Sequence, residues 1–230
     1  MLKKWQDIPE FMRTQEVKRY YDILDKKRVQ LFIKRLFDIA FSLILLVILA
    51  LPILIIAIII KLDSKGPVFY RQERVTAYGK KFRIHKFRTM VNNADKIGTA
   101  VTVNEDKRIT KVGAKIRKYR IDEIPQLIDV LIGNMSFVGT RPEAVQYVER
   151  YKPEYFATLL LPAGITSEAS IKFKDEAEML RKAEDADGVY VNNILIEKMK
   201  YNLENVELFS VKKDFIIMLK TVLVVAYKEV

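Results

Sequence analysis

The alternation of apolar and polar positions divides this chain into three stretches. Residues 1–33 are polar and basic with scattered apolar side chains, which predicts a helical arm lying at an interface, or equally an ordinary surface helix. Residues 34–62 contain an apolar run that extends from Ile39 to Ile60 without a charged residue. Residues 63–230 mix short alternating runs with amphipathic ones, which predicts a domain of small strands and helices.

The apolar run is long enough to enter a lipid bilayer. As a straight helix it would reach about 33 Å at roughly 1.5 Å per residue, against a bilayer core of about 30 Å. Pro52 lies inside the run, where it removes a helical hydrogen bond, so we expect the helix to be kinked at Leu51-Pro52.

Both ends of this segment are basic, with Lys34 and Arg35 before it and Lys61 and Lys65 after it. The positive-inside bias therefore favours a cytoplasmic location for both ends. A re-entrant helix hairpin satisfies the kink and the charges together, while a single span and a buried helix of a soluble protein remain alternatives. Asp38 is costly in lipid, so we expect it to pair with Lys34 or Arg35 on its own helix.

Turn residues and hydrophobic periodicity predict the elements of the 63–230 domain. The turn signal at 64–67 and the loop at 77–79 favour a short β-hairpin of strands 68–70 and 81–87. Helices are predicted over 111–119, 125–131 (ended by Gly133) and 143–151. Residues 91–108 are polar and are predicted to form a loop. Residues 214–226 are apolar and are predicted to form a helix that lies either in the core or on the membrane surface. The expected fold class is α+β, mainly helical.

Composition narrows the classes of partner and of site. Half of the 230 residues are hydrophobic and 30% are charged, with a formal net charge of +11. So basic a chain implies an anionic partner such as nucleic acid, anionic lipid or a phosphorylated substrate. The absence of cysteine excludes disulfides and thiolate metal sites, and a single histidine, His85, excludes multi-histidine metal sites within one chain.

The most informative candidate site is the adjacent pair Asp122 and Glu123. Pro125 follows closely and can begin a helix, while Arg117 and Arg120 stand just before the pair. A solvated acidic pair is the ordinary interpretation of such a dipeptide. Cations and a helix start beside it instead favour a carboxylate nucleophile, Asp122, and an oxygen ligand for Mg²⁺, Glu123, next to a phosphate ester.

Further cations could bind phosphate groups. Lys86 and Arg88 would project to one side of an extended strand and could grip a diphosphate, although a solvated strand face is the simpler alternative. Arg141 stands on a rigid turn before Pro142 and is a weaker candidate of the same kind. His85 is assigned no role.

Seven motifs in their order along the chain resemble those of the bacterial sugar transferases that are monotopic phosphoglycosyl transferases. The resemblance covers about 34–225. The motifs are Lys34-Arg35-Leu36-Phe37-Asp38, residues 64–72, Lys86-Phe87-Arg88-Thr89-Met90, residues 108–113, Ile121-Asp122-Glu123-Ile124-Pro125-Gln126-Leu127, residues 135–142 and Gly164-Ile165-Thr166.

The resemblance implies an activity and a location. Such enzymes transfer a sugar-1-phosphate from a nucleotide diphosphate sugar, usually a UDP-sugar, to polyprenyl (undecaprenyl) phosphate and so initiate membrane-linked glycan synthesis. Asp122 would form a covalent phospho-sugar intermediate and Glu123 would bind Mg²⁺. The residues expected to line the phosphate site are Lys86, Arg88, Arg117, Gln126 and Arg141.

The implied organisation is that of a monotopic protein of the bacterial inner (cytoplasmic) membrane. Residues 1–33 would be a basic interfacial arm, 34–62 the re-entrant membrane helix kinked at Pro52, and 63–230 a cytoplasmic catalytic domain with interfacial amphipathic helices. We expect the minimal catalytic form of the family, without a large additional N-terminal membrane domain.

The chain departs from the usual family pattern at Thr140, Arg120 and residues 163–170, so the role of the last segment stays open. A non-catalytic basic protein of the membrane surface is the alternative function. A membrane-tethered nucleic-acid binder is a weaker one, because no nucleic-acid module is recognised, and nucleic acid is not an expected partner.

Overall fold

The computed structural model describes residues 2–92, 94, 108–181 and 185–227, and these form a mainly helical chain with three two-stranded sheets. The helices are α1 (Gln15–Asp25), α2 (Arg28–Ile48), α3 (Ala50–Asp63), α4 (Lys111–Lys118), α5 (Gln126–Ile132), α6 (Val145–Val148), α7 (Glu168–Lys172), α8 (Glu176–Arg181), α9 (Ala186–Val189), α10 (Leu195–Glu207) and α11 (Val211–Tyr227). The strands are β1 (Phe69–Tyr70), β2 (Glu73–Val75), β3 (Lys81–Arg83), β4 (Lys86–Phe87), β5 (Met135–Val138) and β6 (Ala163–Thr166). The predicted class, α+β and mainly helical, is confirmed.

The apolar run forms two helices, α2 and α3, which meet at an angle of 62°. The kink predicted at Leu51-Pro52 lies at Leu49 instead, because a proline ring clashes with the carbonyl four residues earlier, here that of Ile48. Pro52 is thus placed in the first turn of α3, where its missing N–H has no intrahelical partner to lose. Among the described helices none alone is both long and apolar enough to cross a bilayer, whereas α2 and α3 together meet the criteria of length and composition.

Charged side chains of α2 are bound by residues later in the chain. Asp38 accepts hydrogen bonds from the Ser136 hydroxyl (3.1 Å) and the Phe137 N–H (3.2 Å) on β5. Lys34 donates to Asp214 of α11 at 2.6 Å, and both side chains are about nine-tenths buried. The expected pairing of Asp38 with Lys34 or Arg35 on its own helix is therefore replaced by bonds to β5.

Arg35 extends the same junction to α5. Its guanidinium donates to the carbonyls of Val130 (2.7 Å) and Leu131 (2.8 Å) in the last turn of α5, where the Val130 carbonyl also accepts from the Gly133 N–H (3.1 Å). A cation at this end of a helix also complements the helix dipole. The bent helix pair α2 and α3 is thus joined to α5, β5 and α11 by paired charged groups, of which Lys34 and Asp38 are buried.

The N-terminal arm contributes to the main core. Thr14 caps α1 by accepting from the Val17 N–H, and the apolar face of α1 packs on α10 and on the 3-10 helix Pro153–Leu160. The buried residues of α1 are Val17, Tyr20, Tyr21 and Leu24, whereas Phe11 and Phe32 are exposed. Burial of this face, and not only contact with an interface, explains the apolar positions of the arm. The predicted boundaries of the arm, membrane segment and catalytic domain stay predictions, although α2 already begins at Arg28.

The predicted β-hairpin is present, but it is divided in two. Strands β2 and β3 pair antiparallel around the 3-10 turn Ala77–Gly79, and β1 pairs antiparallel with β4. The strand predicted over 81–87 is therefore interrupted between Arg83 and Lys86. A separate parallel pair, β5 and β6, lies against α2 and α5 and carries the second core cluster.

The predicted helices fare differently. Those at 111–119 and 125–131 are confirmed as α4 and α5, with Pro125 capping α5 and Gly133 ending it at a positive φ of 87°. The helix predicted over 143–151 is only α6, and most of the predicted loop 91–108 lies outside the described residues. Helix α11 buries Asp214 and Ile217 but leaves a wide apolar face exposed, including Phe215, Val222 and Leu223.

The buried pair between Lys34 and Asp214 gives a test of the junction. Lys34→Met should destabilise the protein by about 3–5 kcal/mol, because Asp214 would keep a buried, unpaired charge. The double substitution Lys34→Met with Asp214→Leu should recover much of that loss. Thermal unfolding in detergent measures both, with Lys200→Met, which removes the exposed pair with Glu197, as the control that leaves the midpoint unchanged. Equal midpoints for wild type and Lys34→Met would contradict this account.

Candidate functional site

The acidic pair lies in a tight turn between two helices. Helix α4 ends at Lys118, Arg120 takes a left-handed conformation (φ 53°), and Ile121–Glu123 forms a single 3-10 turn. Ile124 and Pro125 then lead into α5. This reversal places the two adjacent carboxylates at the junction of α4 and α5, beside β4.

Glu123 is held by two cations from distant parts of the chain. Lys86 of β4 and Arg141 each donate to the same oxygen, Glu123 Oε1, at 2.8 Å. The Glu123 side chain is 12% exposed, so both hydrogen bonds act in a poorly solvated place. Burial opposes ionisation, but attraction to Arg141 and Lys86 outweighs it and holds the pKa of Glu123 well below the ordinary value.

Asp122 experiences the opposite balance. Burial raises the pKa of Asp122, and the charge of Glu123 adds to that rise, while Lys86 and Arg117 act to lower it. The two adjacent carboxylates are therefore electrostatically distinct. Glu123 is firmly ionised, whereas burial makes Asp122 harder to ionise. A group of this kind gains in ionisation when a further cation approaches it.

The two cations are affected in turn. Burial lowers the pKa of Lys86 although Glu123 acts against that shift. Glu123 raises the pKa of Arg141 despite burial, so the guanidinium is charged under all ordinary conditions. Lys86 and Arg141 thus form a cationic surface on one side of the pair, with the chemistry needed to bind phosphate oxygens.

Arg141 reaches Glu123 because of the way β5 and β6 continue into loops. The Gly139 N–H donates to Thr166 O (3.0 Å), and the Gly164 N–H donates to Thr140 O (2.9 Å). A Cβ atom on Gly164 would lie 2.2 Å from the Gly139 nitrogen, so only glycine allows this approach. Thr140, at a position where the chain departs from the usual pattern, takes part through its backbone.

Arg88 is placed elsewhere than expected. The strand β4 ends at Phe87, and the guanidinium of Arg88 turns to the end of α3, where it donates to Ser64 O (2.6 Å) and Lys65 O (2.9 Å). Arg88 is 5% exposed. The structure therefore does not bring Lys86 and Arg88 together as a pair of phosphate-binding cations. The second cation beside Lys86 is Arg141 instead.

The remaining predicted residues lie near the pair. Arg117 is in the last turn of α4 and acts on Asp122 through its charge. Gln126 is in the first turn of α5, is 1% exposed, and has an amide nitrogen without a hydrogen-bond partner among the described residues. A buried amide donor without a partner is costly, and a ligand oxygen would relieve that cost.

Sequence reasoning missed the residues that brace the Arg141 turn. Glu143 accepts from the Tyr190 hydroxyl at 2.7 Å, and Lys198 donates to Tyr190 at 3.0 Å and to Glu176 at 3.1 Å. Lys198 is 3% exposed. The available signal was the helical spacing of Lys198 with the apolar residues Leu195 and Met199 of α10, since buried lysines are nearly always paired.

The open segment 163–170 also has a structural role. Residues Ala163–Thr166 form β6, and Ser167 caps α7 by accepting from the Ser170 N–H at 3.0 Å. These serines therefore begin a helix that packs on α10 and α11.

Comparison with known proteins places the chain among transferases. A family model described as bacterial sugar transferase matches residues 29–228. A putative undecaprenyl-phosphate N-acetylgalactosaminyl 1-phosphate transferase of Bacillus subtilis is 42% identical over 58% of this chain and 75% of its own length. A UDP-N-acetylgalactosamine-undecaprenyl-phosphate N-acetylgalactosaminephosphotransferase of Aeromonas hydrophila is 37% identical over 83% of this chain and 43% of its own length.

A third relative, the UDP-glucose:undecaprenyl-phosphate glucose-1-phosphate transferase of Escherichia coli, is 36% identical over 84% of this chain and 40% of its own length. The aligned region thus spans less than half of the Aeromonas and Escherichia proteins.

The unlike environments of the two carboxylates predict unlike effects on stability. Glu123→Gln should destabilise the protein by about 3–5 kcal/mol at pH 7, because Lys86 and Arg141 would lose their buried counter-charge. Asp122→Asn should keep or raise stability, because it removes a charge that burial disfavours.

Thermal unfolding as a function of pH measures the difference. A lowered pKa stabilises the fold above the ordinary pKa of glutamate and ceases to do so as the pH falls through the lowered value. The gap between wild type and Glu123→Gln should therefore close in acid. A larger loss of stability in Asp122→Asn than in Glu123→Gln would refute the assignment.

Proposed function

The chain belongs to the bacterial sugar transferase family, and we propose that it transfers a sugar-1-phosphate from a UDP-sugar to polyprenyl phosphate. The printed activities of its relatives support this reaction class. The observation that carries the proposal is the arrangement around Glu123, where two cations hold one carboxylate ionised directly beside a second, Asp122.

We propose that Asp122 is the nucleophile of the first step. Its carboxylate oxygen attacks the phosphorus that carries the sugar, a new O–P bond forms, and the bond to the departing UMP breaks. The ionised form of Asp122 is favoured by Lys86 and Arg117. Lys86 and Arg141 would bind the phosphate oxygens and stabilise the negative charge that spreads over them during transfer.

The second step uses the same phosphorus. An oxygen of polyprenyl phosphate attacks it, the bond to Asp122 breaks, and the carboxylate is regenerated while a polyprenyl diphosphate sugar is released. Because donor and acceptor react in turn, one small site serves a soluble nucleotide sugar and a lipid.

The Gln126 amide, buried and without a partner in the described chain, would donate to a phosphate oxygen.

We also propose that Mg²⁺ binds with the donor. The described residues contain no cluster of three or more acidic or histidine side chains that could hold an ion. A magnesium ion can be bound by one or two carboxylates together with substrate phosphates, and Glu123 is ionised and supplies the oxygen ligand that this ion prefers. The ion would neutralise diphosphate charge, so the residues present fit it when the donor completes the site.

The protein is proposed to lie in the inner face of the bacterial cytoplasmic membrane as a monotopic enzyme. Support comes from the 62° bend between α2 and α3 and from the exposed apolar side chains beside it, such as Val47, Ile48 and Leu51. The basic residues at both ends of the segment favour one side of the membrane for both. A hairpin of this kind would hold Asp122 near the height of the lipid phosphate.

The nucleophile is tested by substitution and by trapping. Asp122→Asn should lower UMP release by roughly a thousandfold or more, with the fold kept. Donor with a radiolabelled sugar, given without lipid acceptor, should label the wild type on Asp122 and leave the variant unlabelled. Label on no carboxylate of the wild type, or full activity in Asp122→Asn, would overturn the mechanism. A panel of UDP-sugars in the same assay identifies the sugar.

Magnesium is tested by removal and return. A chelator should abolish UMP release, and added Mg²⁺ should restore it. In Glu123→Asp, which keeps the carboxylate but withdraws it, more Mg²⁺ should be needed for half-maximal activity, while Lys200→Met should behave as wild type. Unchanged activity after complete chelation would exclude the role of the ion.

Topology is tested with single cysteines, for which the chain is suited because it contains none of its own. Cysteines placed at position 3 and at position 212 should react with a membrane-impermeant maleimide only when the cytoplasmic face is open. A cysteine at position 49 should react from neither side. Labelling of position 3 or 212 from outside intact cells would refute the hairpin.

A further inference from the structure

A second link joins the strand that carries Lys86 to the helix that follows the acidic pair. The Asp129 carboxylate of α5 accepts from the His85 backbone N–H at 2.7 Å through Oδ2. Its other oxygen, Oδ1, lies 2.9 Å from the ring nitrogen Nδ1 of the same residue. One carboxylate thus binds the backbone and the ring of a single histidine.

This link is buried and close to the site. The Asp129 side chain is 0% exposed and that of His85 is 15% exposed. His85 directly precedes Lys86, and Asp129 lies on the helix that begins just after Asp122 and Glu123. Two neighbouring residues, His85 and Lys86, are therefore both bound to the segment 123–129. Lys86 binds Glu123, and His85 binds Asp129.

The backbone alone gives this region little rigidity. Strands β1 and β4 have two residues each, and a ladder of that length contributes few hydrogen bonds. Backbone bonding continues one residue past β3, where the Ile84 N–H donates to Gln72 O at 3.0 Å, but the next N–H, that of His85, is bound by a side chain. The hydrogen bond from the His85 backbone N–H to Asp129 fixes the course of the backbone immediately before Lys86.

We propose that His85 and Asp129 are positioning residues, which act through Lys86 by holding its strand so that the ammonium stays on Glu123 and faces the transferred phosphate. The inference rests on the proposed function and adds to it a role for two residues that touch neither substrate nor metal. Small displacements of a group that binds a reacting phosphate lower the rate steeply, by as much as about a hundredfold per ångström.

Two amide substitutions of His85 separate this role from a general need for a polar residue. The amide nitrogen of asparagine can occupy the position of histidine Nδ1, so His85→Asn keeps a donor for Asp129. The amide of glutamine extends to the position of Nε2 and misses Asp129. We expect UMP release by His85→Asn within about threefold of wild type, and by His85→Gln at least about tenfold lower. Equal rates for the two variants would overturn the proposal.

Asp129 gives the reciprocal test. Asp129→Asn keeps an acceptor for the backbone N–H and should retain most of the rate, whereas Asp129→Leu of similar size removes both acceptors and should lose at least about tenfold. The control is Tyr20→Phe, which removes a 2.8 Å hydrogen bond to Glu154. Neither residue belongs to the candidate site, so the rate should be unchanged. Full activity in Asp129→Leu contradicts the inference.

Combination with Lys86→Met shows whether the effect passes through Lys86. If it does, His85→Gln added to Lys86→Met should lower the rate by no more than about twofold beyond Lys86→Met alone. A merely structural role would add its full loss in that background, and that result would exclude positioning.

The proposed function and this inference fail in different ways. A wild type that releases no UMP from any donor refutes the function. The inference is then decided by thermal unfolding, where the losses from His85→Gln and Lys86→Met should be non-additive and His85→Asn should retain the wild-type midpoint. Additive losses would overturn it without reference to any substrate.

Discussion

The organisation of this protein depends on charged side chains of α2, two of them buried, that are tolerated only because each has a partner later in the chain. Asp38 is bound by β5, Lys34 by α11 and Arg35 by the end of α5. A charge buried without a partner costs several kcal/mol, so these bonds allow little freedom between the bent helix pair α2 and α3 and the residues that follow. Helix α5 follows directly from the acidic pair, and β5 leads to Arg141. The position of the bent helix pair and the position of the acidic pair are therefore coupled.

Around the acidic pair, neighbouring residues of the same chemical type have different electrostatic states. Glu123 has two cations on one oxygen and stays ionised, whereas Asp122 shares the burial without a hydrogen bond of comparable strength among the described contacts. This asymmetry suits a division of work in which one carboxylate organises cations and phosphates while the other reacts. It also makes Lys86 and Arg141 common to both steps of the proposed transfer, since both steps occur at one phosphorus.

Side-chain contacts supply the rigidity that the small sheets lack. The strands next to the site have two to four residues, and hydrogen bonds from buried polar side chains fix the loops between them. Glu143, Tyr190 and Lys198 brace the turn after Arg141, and Asp129 holds the residue before Lys86. Such polar networks are costly when incomplete, so they define one arrangement of the loops and thereby of the two cations.

Local chemistry in the sequence determined the apolar segment and its interruption by proline, helices α4 and α5 with their ends at Pro125 and Gly133, and the adjacency of Asp122 and Glu123. These features follow from hydrophobic period, turn residues and chain neighbours, all of which act over a few positions. Only the tertiary structure decided which cations meet the pair. Residues 86, 123 and 141 are brought together by strand pairing and helix packing, so no local pattern distinguishes Lys86, which reaches Glu123, from Arg88, which caps α3. For the same reason the partner of Asp38 lies on β5 rather than on its own helix: burial selects partners by distance in space, whereas sequence spacing shows only those on the same element.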